Sequence, residues 1–432
     1  MRRRLTGLWR HADFMRLWAG QTISLIGSGV TALALPLTAV LVLEATPTQM
    51  GILEAAGALP ALLLGLFAGA LADRRRRRPI LIAADIGRAV LLTLVPIATL
   101  THLLRIEVLY VIAFLLNTLG LFFGVAYGPF LLSLVGREQL VEGNSKLEVS
   151  RSVAEIVGPG LAGWLVELVT APISIAVDAL SFLISGLFLG SIRAPEPAPD
   201  PAEQRQGIWC EISEGLCLVG GDQLLRAIAG CMAVLGLFNA ALEAVSLLYV
   251  TRELGIEPGL LGLIFASGSV GFLVGALLPG HVTRRFGLGP ATIGGILLAA
   301  LSDLLTPLAG GPIVVVVGIL VVGQFLFGLG LTIFNVGQVS LRQAVTPDHL
   351  QGRMNGTMQV IALGIVPLGG LLGGALGETI GLRTTLVVTA LGEMTAAAWL
   401  LFSPLRSLRE RPDPGGRAAP AAGARVDPKG LG

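Results

Sequence analysis

Apolar residues run through this chain in long blocks, and polar residues collect between the blocks rather than inside them. A helix needs about 20 mainly apolar residues to cross the hydrocarbon core of a bilayer. Twelve segments reach that length, at 18–43, 50–72, 79–100, 107–134, 146–168, 171–190, 224–250, 258–281, 288–309, 312–342, 356–378 and 383–403. All connections are short except 191–223. The pattern predicts an all-α integral membrane protein of twelve transmembrane helices. The division it suggests is an N-terminal six-helix bundle over 1–190, a linker over 191–223, a second bundle over 224–405 and a disordered tail over 406–432. Within the linker, SIRAPEPAPDPAEQRQ is proline-rich and acidic, which predicts an extended stretch. The following Ile208, Ile212, Leu216 and Val219 recur at helical spacing, as in an amphipathic helix on a membrane surface.

Composition agrees with this picture. The chain is 53% hydrophobic and 13% charged with a mean hydropathy of +0.80, where soluble domains carry about 25% charged residues. The basic N-terminus leads into an apolar run over 18–43, longer than the 7–15 residues or so of a signal-peptide core, so a retained first span is expected. Cys210, Cys217 and Cys231 form no CxxC, which favours reduced thiols over a disulfide framework or a zinc site. No P-loop, dinucleotide fingerprint or HExxH is present, so ATP drive and hydrolysis are unsupported. Neither a cofactor nor a metal is expected, and the chain does not read as an enzyme.

Arginine marks one set of connections. Arg2, Arg3, Arg4, Arg10 and Arg16 precede the first span, Arg74 to Arg78 join spans 2 and 3, and Arg137 and Lys146 join spans 4 and 5. Arg193, Arg205, Arg284, Arg285, Arg342, Arg353, Arg406 and Arg409 continue the series, whereas the alternate connections hold only Arg105, Arg252 and Arg383. By the positive-inside rule both termini are cytosolic. The five consecutive arginines are then a cytosolic turn and not a nucleic-acid patch; a role limited to setting orientation is the alternative.

The chain also repeats itself. An offset of 211 aligns Gly51 with Gly262, Gly57 with Gly268, Gly69 with Gly280, Arg74 with Arg285, Pro96 with Pro307, Asn144 with Asn355, Gly158 with Gly369 and Gly163 with Gly374. Six spans per half start both halves on the same side, which makes them parallel repeats. Transporters built this way hold substrate near the bilayer midplane and rock the halves about it.

GALADRRRRRP at 69–79 resembles the loop signature of the major facilitator superfamily, with Gly69, Leu71, Asp73, Arg74, Arg77 and Arg78 matching and Arg76 where glycine is usual. GHVTRRFG at 280–287 is similar to its second copy. FMRLWAGQTISLIGS, REQLVEGNSK, VDALSFLIS and SLRQAVTPDHLQGRMNG resemble the branch that contains macrolide and siderophore exporters, and VGPGLAG partly resembles the antiporter motif. The resemblance implies a cavity lined by spans 1, 4, 7 and 10. It also implies a cytosolic latch of Asp73, Arg74, Arg77 and Arg78 that clamps the halves while the cavity faces outward.

Polar groups sit on those spans at helical spacing: Ser24, Ser28 and Thr31; Asn117 and Tyr127; Asn239, Glu243 and Ser246; Gln324, Asn335 and Gln338. Such groups also simply bond neighbouring helices in many bundles. A charged side chain at mid-membrane costs about 2.5–3.5 kcal/mol on insertion scales, so each acid needs a reason. Glu243 is the acid expected to face the cavity and to exchange protons, with Glu155 or Asp178 as possible associates. Asp85 and Arg88 are spaced for a local ion pair, as are Arg151 and Glu155. Glu54 and Asp303 lie near the outer face within reach of water, and the facing of Glu393 is open. These readings converge on a bacterial inner-membrane exporter of moderately hydrophobic small molecules, monomeric and proton-driven. Rival readings are a lipid or lysophospholipid transporter, a proton-coupled nutrient importer and a non-transporting receptor of the same fold.

Overall fold

A computed structural model describes residues 7–194, 196, 208–347 and 350–407; the side chains of 66–74 and 208–213 lie outside that description. Most of the expected linker, the tail, and the side chains of Gly69, Asp73 and Arg74 therefore fall outside it. The described residues form helices and short connections. After a 3₁₀ turn over Gly7–Arg10 come α1 (Ala12–Leu41), α2 (Pro47–Arg74), α3 (Arg77–Leu100), α4 (Ile106–Leu168) and α5 (Ala171–Ser191). Then follow α6 (Ile208–Gly221), α7 (Gln223–Leu248), α8 (Pro258–Leu277), α9 (Pro279–Phe286), α10 (Leu288–Asp303) and α11 (Leu305–Leu308). The last four are α12 (Ile313–Val345), α13 (Gln351–Gly364), α14 (Val366–Ile380) and α15 (Leu382–Leu401). Among the described residues, 11 helical stretches are long and apolar enough to cross a membrane.

Local chemistry sets where these helices start and break. Thr46 accepts from the Gln49 amide while Gln49 accepts from the Thr46 amide, and Pro47 occupies the first turn, so α2 begins on a complete capping box. Asp222 accepts from the amides of Leu224 and Leu225 to start α7. Pro307 and Pro367 interrupt the ninth and eleventh expected spans, which divide into α10 with α11 and α13 with α14. α4 is 63 residues long, and a straight helix of that length would reach about 95 Å, roughly three bilayer cores. Gly136, at φ 71° and ψ 170°, breaks it into limbs over 106–135 and 137–168; only glycine adopts that backbone cheaply.

The second limb begins nine residues before the expected start of span 5 at 146, so the REQLVEGNSK connection is helix and not loop. Packing explains the difference. Leu147 is buried there, and Gly143 sits under Leu8 and Phe14. Glu142 accepts from the Leu8 amide at 3.2 Å, and Lys146 lies 3.3 Å from Glu142 and 4.0 Å above the Trp9 ring.

Helix pairing recurs between the halves. α1 packs on α5 and α4 as α7 packs on α15 and α14; α2 packs on α4 as α8 packs on α12; α3 packs on α5 as α10 packs on α15. Across the halves α2 meets α14 and α4 meets α8. These crossings are made by the glycines of the repeat. A Cβ on Gly163 would lie 2.5 Å from the Pro258 carbonyl oxygen, and one on Gly374 would lie 2.8 Å from that of Pro47. Gly262 faces the Pro159 carbonyl at 2.6 Å in the same sense, and Gly51 faces that of Gly370. Each contact maps onto its counterpart by the 211-residue offset, so the internal repeat is a packing symmetry. Small residues allow this close backbone approach. All these glycines lie toward the end of the bundle that carries the arginine-poor loops.

Candidate functional site

Below the glycine crossings the halves separate around a cavity of two lobes, about 650 Å³ and 340 Å³. Hydrogen bonds that join the halves include Thr48 to Glu378, Arg252 to the Val40 carbonyl, and Ser269 to the Glu155 carbonyl. The walls are mostly apolar, with Leu33, Leu247 and Phe265 in both lobes, and Glu243 projects into both. Its side chain is exposed although it lies on a helix otherwise packed within the bundle, because it opens onto this space.

Ser28, Thr31 and Asn117 line the larger lobe, Asn239 and Gln324 the smaller, and Ser246 both. Tyr127 and Asn335 line neither. Tyr127 stacks on Phe123 with ring centroids 5.7 Å apart, and its buried hydroxyl has no partner. Asn335 is exposed and lies about three turns past Gln324 on nearly the same face of α12, beyond the lobes, and Gln338 and Ser24 are buried against neighbouring helices.

Two groups of charges lie behind the cavity walls. In the N-terminal half, Arg88 bonds Asp85 at 3.0 Å and lies between the rings of Phe123 and Phe182, 4.6 Å and 4.4 Å from their centroids. Asp178 interacts with the same guanidinium and accepts from Ser181 at 2.8 Å; Asp178 and Arg88 both reach the larger lobe. Glu155 is exposed and has no ion pair with Arg151, which instead lies 3.8 Å from Glu148. Geometry thus joins Asp178 to Asp85 and Arg88 and places it on the same larger lobe as Glu243, while Glu155 lines neither lobe.

The partners of Glu243 are acids on other helices. Glu54 of α2 and Asp303 of α10 interact with it electrostatically, and Asp303 comes within hydrogen-bonding reach of Glu393 on α15. Asn239 lies beside Glu393, one helical turn from Glu243. A Cβ on Gly370 would lie 3.1 Å from that of Glu54, at the crossing of the halves. Asp303 is 6% exposed and Glu393 0%, so the expectation that Asp303 simply reaches water fails: α10 turns that face inward against α12 and α15. No local signal singles out this group: none of Glu54, Glu243, Asp303 and Glu393 has Lys or Arg within four positions, but neither has Asp178, which meets Arg88 in space. Among the described residues no set of three or more acids, His or Cys is placed to hold a metal ion.

At the arginine-rich turn the described members of the motif bond their own half. The amides of Arg77 and Arg78 donate to the Glu196 carboxylate, and the Arg78 guanidinium donates to the carbonyls of Leu189 and Gly190 at the end of α5.

Known proteins share this architecture. A family model described as transmembrane secretion effector matches residues 7–421, nearly the whole chain. The chain belongs to this family. It is accordingly a transporter of the major facilitator superfamily and not an enzyme. It is 30% identical to the multidrug efflux pump Tap of Mycolicibacterium fortuitum over 399 residues, 88% of this chain and 93% of that protein. It is 25% identical to macrolide efflux protein A of Streptococcus pyogenes over 381 residues, 86% and 90% of the two chains. A bacterial homologue of the iron transporter ferroportin in an inward-facing state superposes with a TM-score of 0.73 at 17% identity, covering 92% of this chain and 99% of that one. The outward-facing state of that homologue gives 0.55, covering 90% and 98%.

Proposed function

We propose that this transporter is a secondary active exporter of moderately hydrophobic small molecules, driven by proton antiport through alternating access. In this reading twelve crossings arise because the two limbs of α4 cross separately, and both termini are cytosolic in the bacterial inner membrane. Residues 1–190 and 224–405 are the two rocking bundles, 191–223 links them, and 406–432 is a cytosolic tail. The arginine-poor loops then face outward, and the structure is the inward-open state with its outer end closed by glycine crossings.

The observation that carries the reading is Glu243, the carboxylate that opens onto both lobes of a mostly apolar cavity between the two halves. The apolar walls take up a hydrophobic solute with little desolvation cost, while an acid there binds and releases protons as the cavity changes sides. Efflux pumps are among the relatives, as their names state. In the same reading Asp73, Arg74, Arg77 and Arg78 form a cytosolic latch that holds while the cavity faces outward. The test is ethidium and erythromycin accumulation in cells with and without the protein, with and without an uncoupler. Exporting cells should hold less of a substrate, and the uncoupler should erase the difference. Glu243→Gln should lower pH-driven efflux by about tenfold or more; full efflux in that variant removes Glu243 from the mechanism.

A further inference from the structure

The space between α7, α10 and α15 holds three carboxylates and no base, and this is the feature the transport reading leaves over. Glu393 is fully buried, and neither of its carboxylate oxygens has a hydrogen-bond partner when both it and Asp303 are taken as ionised; the same is true of Oδ2 of Asp303. Yet the two groups approach to hydrogen-bonding reach. Two ionised carboxylates cannot bond each other, because both only accept. One proton between them turns the repulsive contact into a short bond from a carboxylic acid to a carboxylate, and like-charge carboxyl pairs in low dielectric hold a proton for this reason.

The bases on the surrounding helices bond elsewhere or lie far off. Past α7, Arg252 lies nine positions beyond Glu243 and donates to the Val40 carbonyl, with Glu253 next to it. On α15, Arg383 lies ten positions before Glu393, about 15 Å along the axis, and its Nε donates to the Pro307 carbonyl. On α7, Arg226 lies seventeen positions before Glu243, about 25 Å away. On α12 the single charge is Arg342, nineteen positions beyond Gly323, which faces Ser302, and so about 28 Å from Asp303. Arg284 and Arg285 of α9 and Arg406 after α15 lie at the arginine-rich end, opposite Asp303. Glu378 of α14 bonds Thr48 at the other. The groups that face the pair are Glu243, with Glu54 behind it, and Asn239.

We infer that Asp303 and Glu393 together form a binding site for one proton, buried in the wall of the C-terminal half and reached from the cavity through Glu243. Glu243 and Asp303 both line the smaller lobe, and Glu393 lies behind them without solvent access. Accessibility therefore falls in steps from cavity to store. A proton taken from water by the Glu243 carboxylate passes to Asp303, where it bridges to the Glu393 carboxylate and leaves Glu243 ionised. Release reverses the transfer. The inference rests on the proton-antiport reading and adds where the transported proton waits.

The test uses the full-length protein in proteoliposomes with two independent readouts. Infrared difference spectra between neutral and alkaline pH should show a protonated carboxyl band that disappears in Asp303→Asn and in Glu393→Gln. Ethidium or erythromycin uptake into everted vesicles should lose about tenfold or more of its dependence on a pH gradient in either variant. Counterflow at equal pH, which needs no proton, should stay within about twofold in Glu393→Gln, whose side chain lies outside both lobes, and shows that this variant is folded. If wild type lacks pH-driven transport for every probe, the antiport reading falls, and an intact carboxyl band would still uphold the proton site. If wild type is pH-driven and Glu393→Gln keeps both the band and the drive, the proton site is wrong while antiport stands.

Discussion

The same pair of helices carries opposite electrostatics in the two halves. α3 packs on α5 in one half as α10 packs on α15 in the other, and the offset of 211 sets Arg88 against Ala299, Asp178 against Thr389, Leu92 against Asp303 and Phe182 against Glu393. The N-terminal pair encloses a guanidinium with two acids and two aromatic faces, so a base offsets one of its two negative charges. The C-terminal pair encloses acids alone. A repeat thus preserves backbone packing while its buried charges diverge: one half keeps a base among its acids, and the other keeps acids without a base. The proton is the cation that fits a fully buried space.

Removing a charge should therefore have opposite consequences in the two halves. Arg88→Leu leaves Asp85 and Asp178 buried without a base and should cost about 3–5 kcal/mol, read as a fall in the thermal midpoint of the purified protein. Adding Asp85→Asn should recover part of the loss; an unchanged midpoint in the single variant would show that the two halves do not differ in this way. Next come the positions where the halves are alike. Gly163→Leu and Gly374→Leu overpack equivalent crossings and should each cost about 1–3 kcal/mol of the closed state. Both should open the cavity to a membrane-impermeant thiol reagent at an engineered Ser246→Cys, and to similar extents. A large disparity between them would break the packing symmetry. Glu393→Gln should change the midpoint by less than about 1 kcal/mol near neutral pH, because a carboxyl that already shares a proton loses little on becoming an amide. A drop as large as that of Arg88→Leu would mark Glu393 as an ionised structural partner. Smallest of all, Tyr127→Phe removes a buried hydroxyl that has no partner and should stay within about 0.5 kcal/mol of wild type, with unaltered efflux.

Much of this architecture was legible along the chain. Apolar blocks locate the spans because a membrane core admits little else, and the 211-residue offset marks the glycines that became the interhelical crossings. The extension of α4 past Gly136 was not legible: REQLVEGNSK is polar enough to read as loop, and only Leu8, Phe14 and Trp9 arriving from the N-terminus supply the surface that keeps it helical. At the site, Ser28, Thr31, Asn117, Asn239, Gln324 and Glu243 come to the cavity because a single helix face can be followed by its period. Tyr127 and Asn335 sit nearer the arginine-rich ends of their helices and reach neither lobe. The grouping of Glu243 with Asp303, Glu393 and Glu54 was hidden for a different reason. It joins residues 60 to 190 positions apart on four helices, and a contact of that range leaves no local pattern.

The contacts at the centre of the closed end are main chain against main chain, with Gly51, Gly163, Gly262 and Gly374 touching carbonyl oxygens of the opposite bundle. A barrier of that composition has no rotamers to order when it forms and contains no group that titrates. Neither external acidity nor membrane voltage has a handle on those four crossings themselves. In the proposed cycle, what unlocks that side acts on the crossings from beside them, through the Glu378 and Arg252 bonds or through charge gained or lost in the cavity.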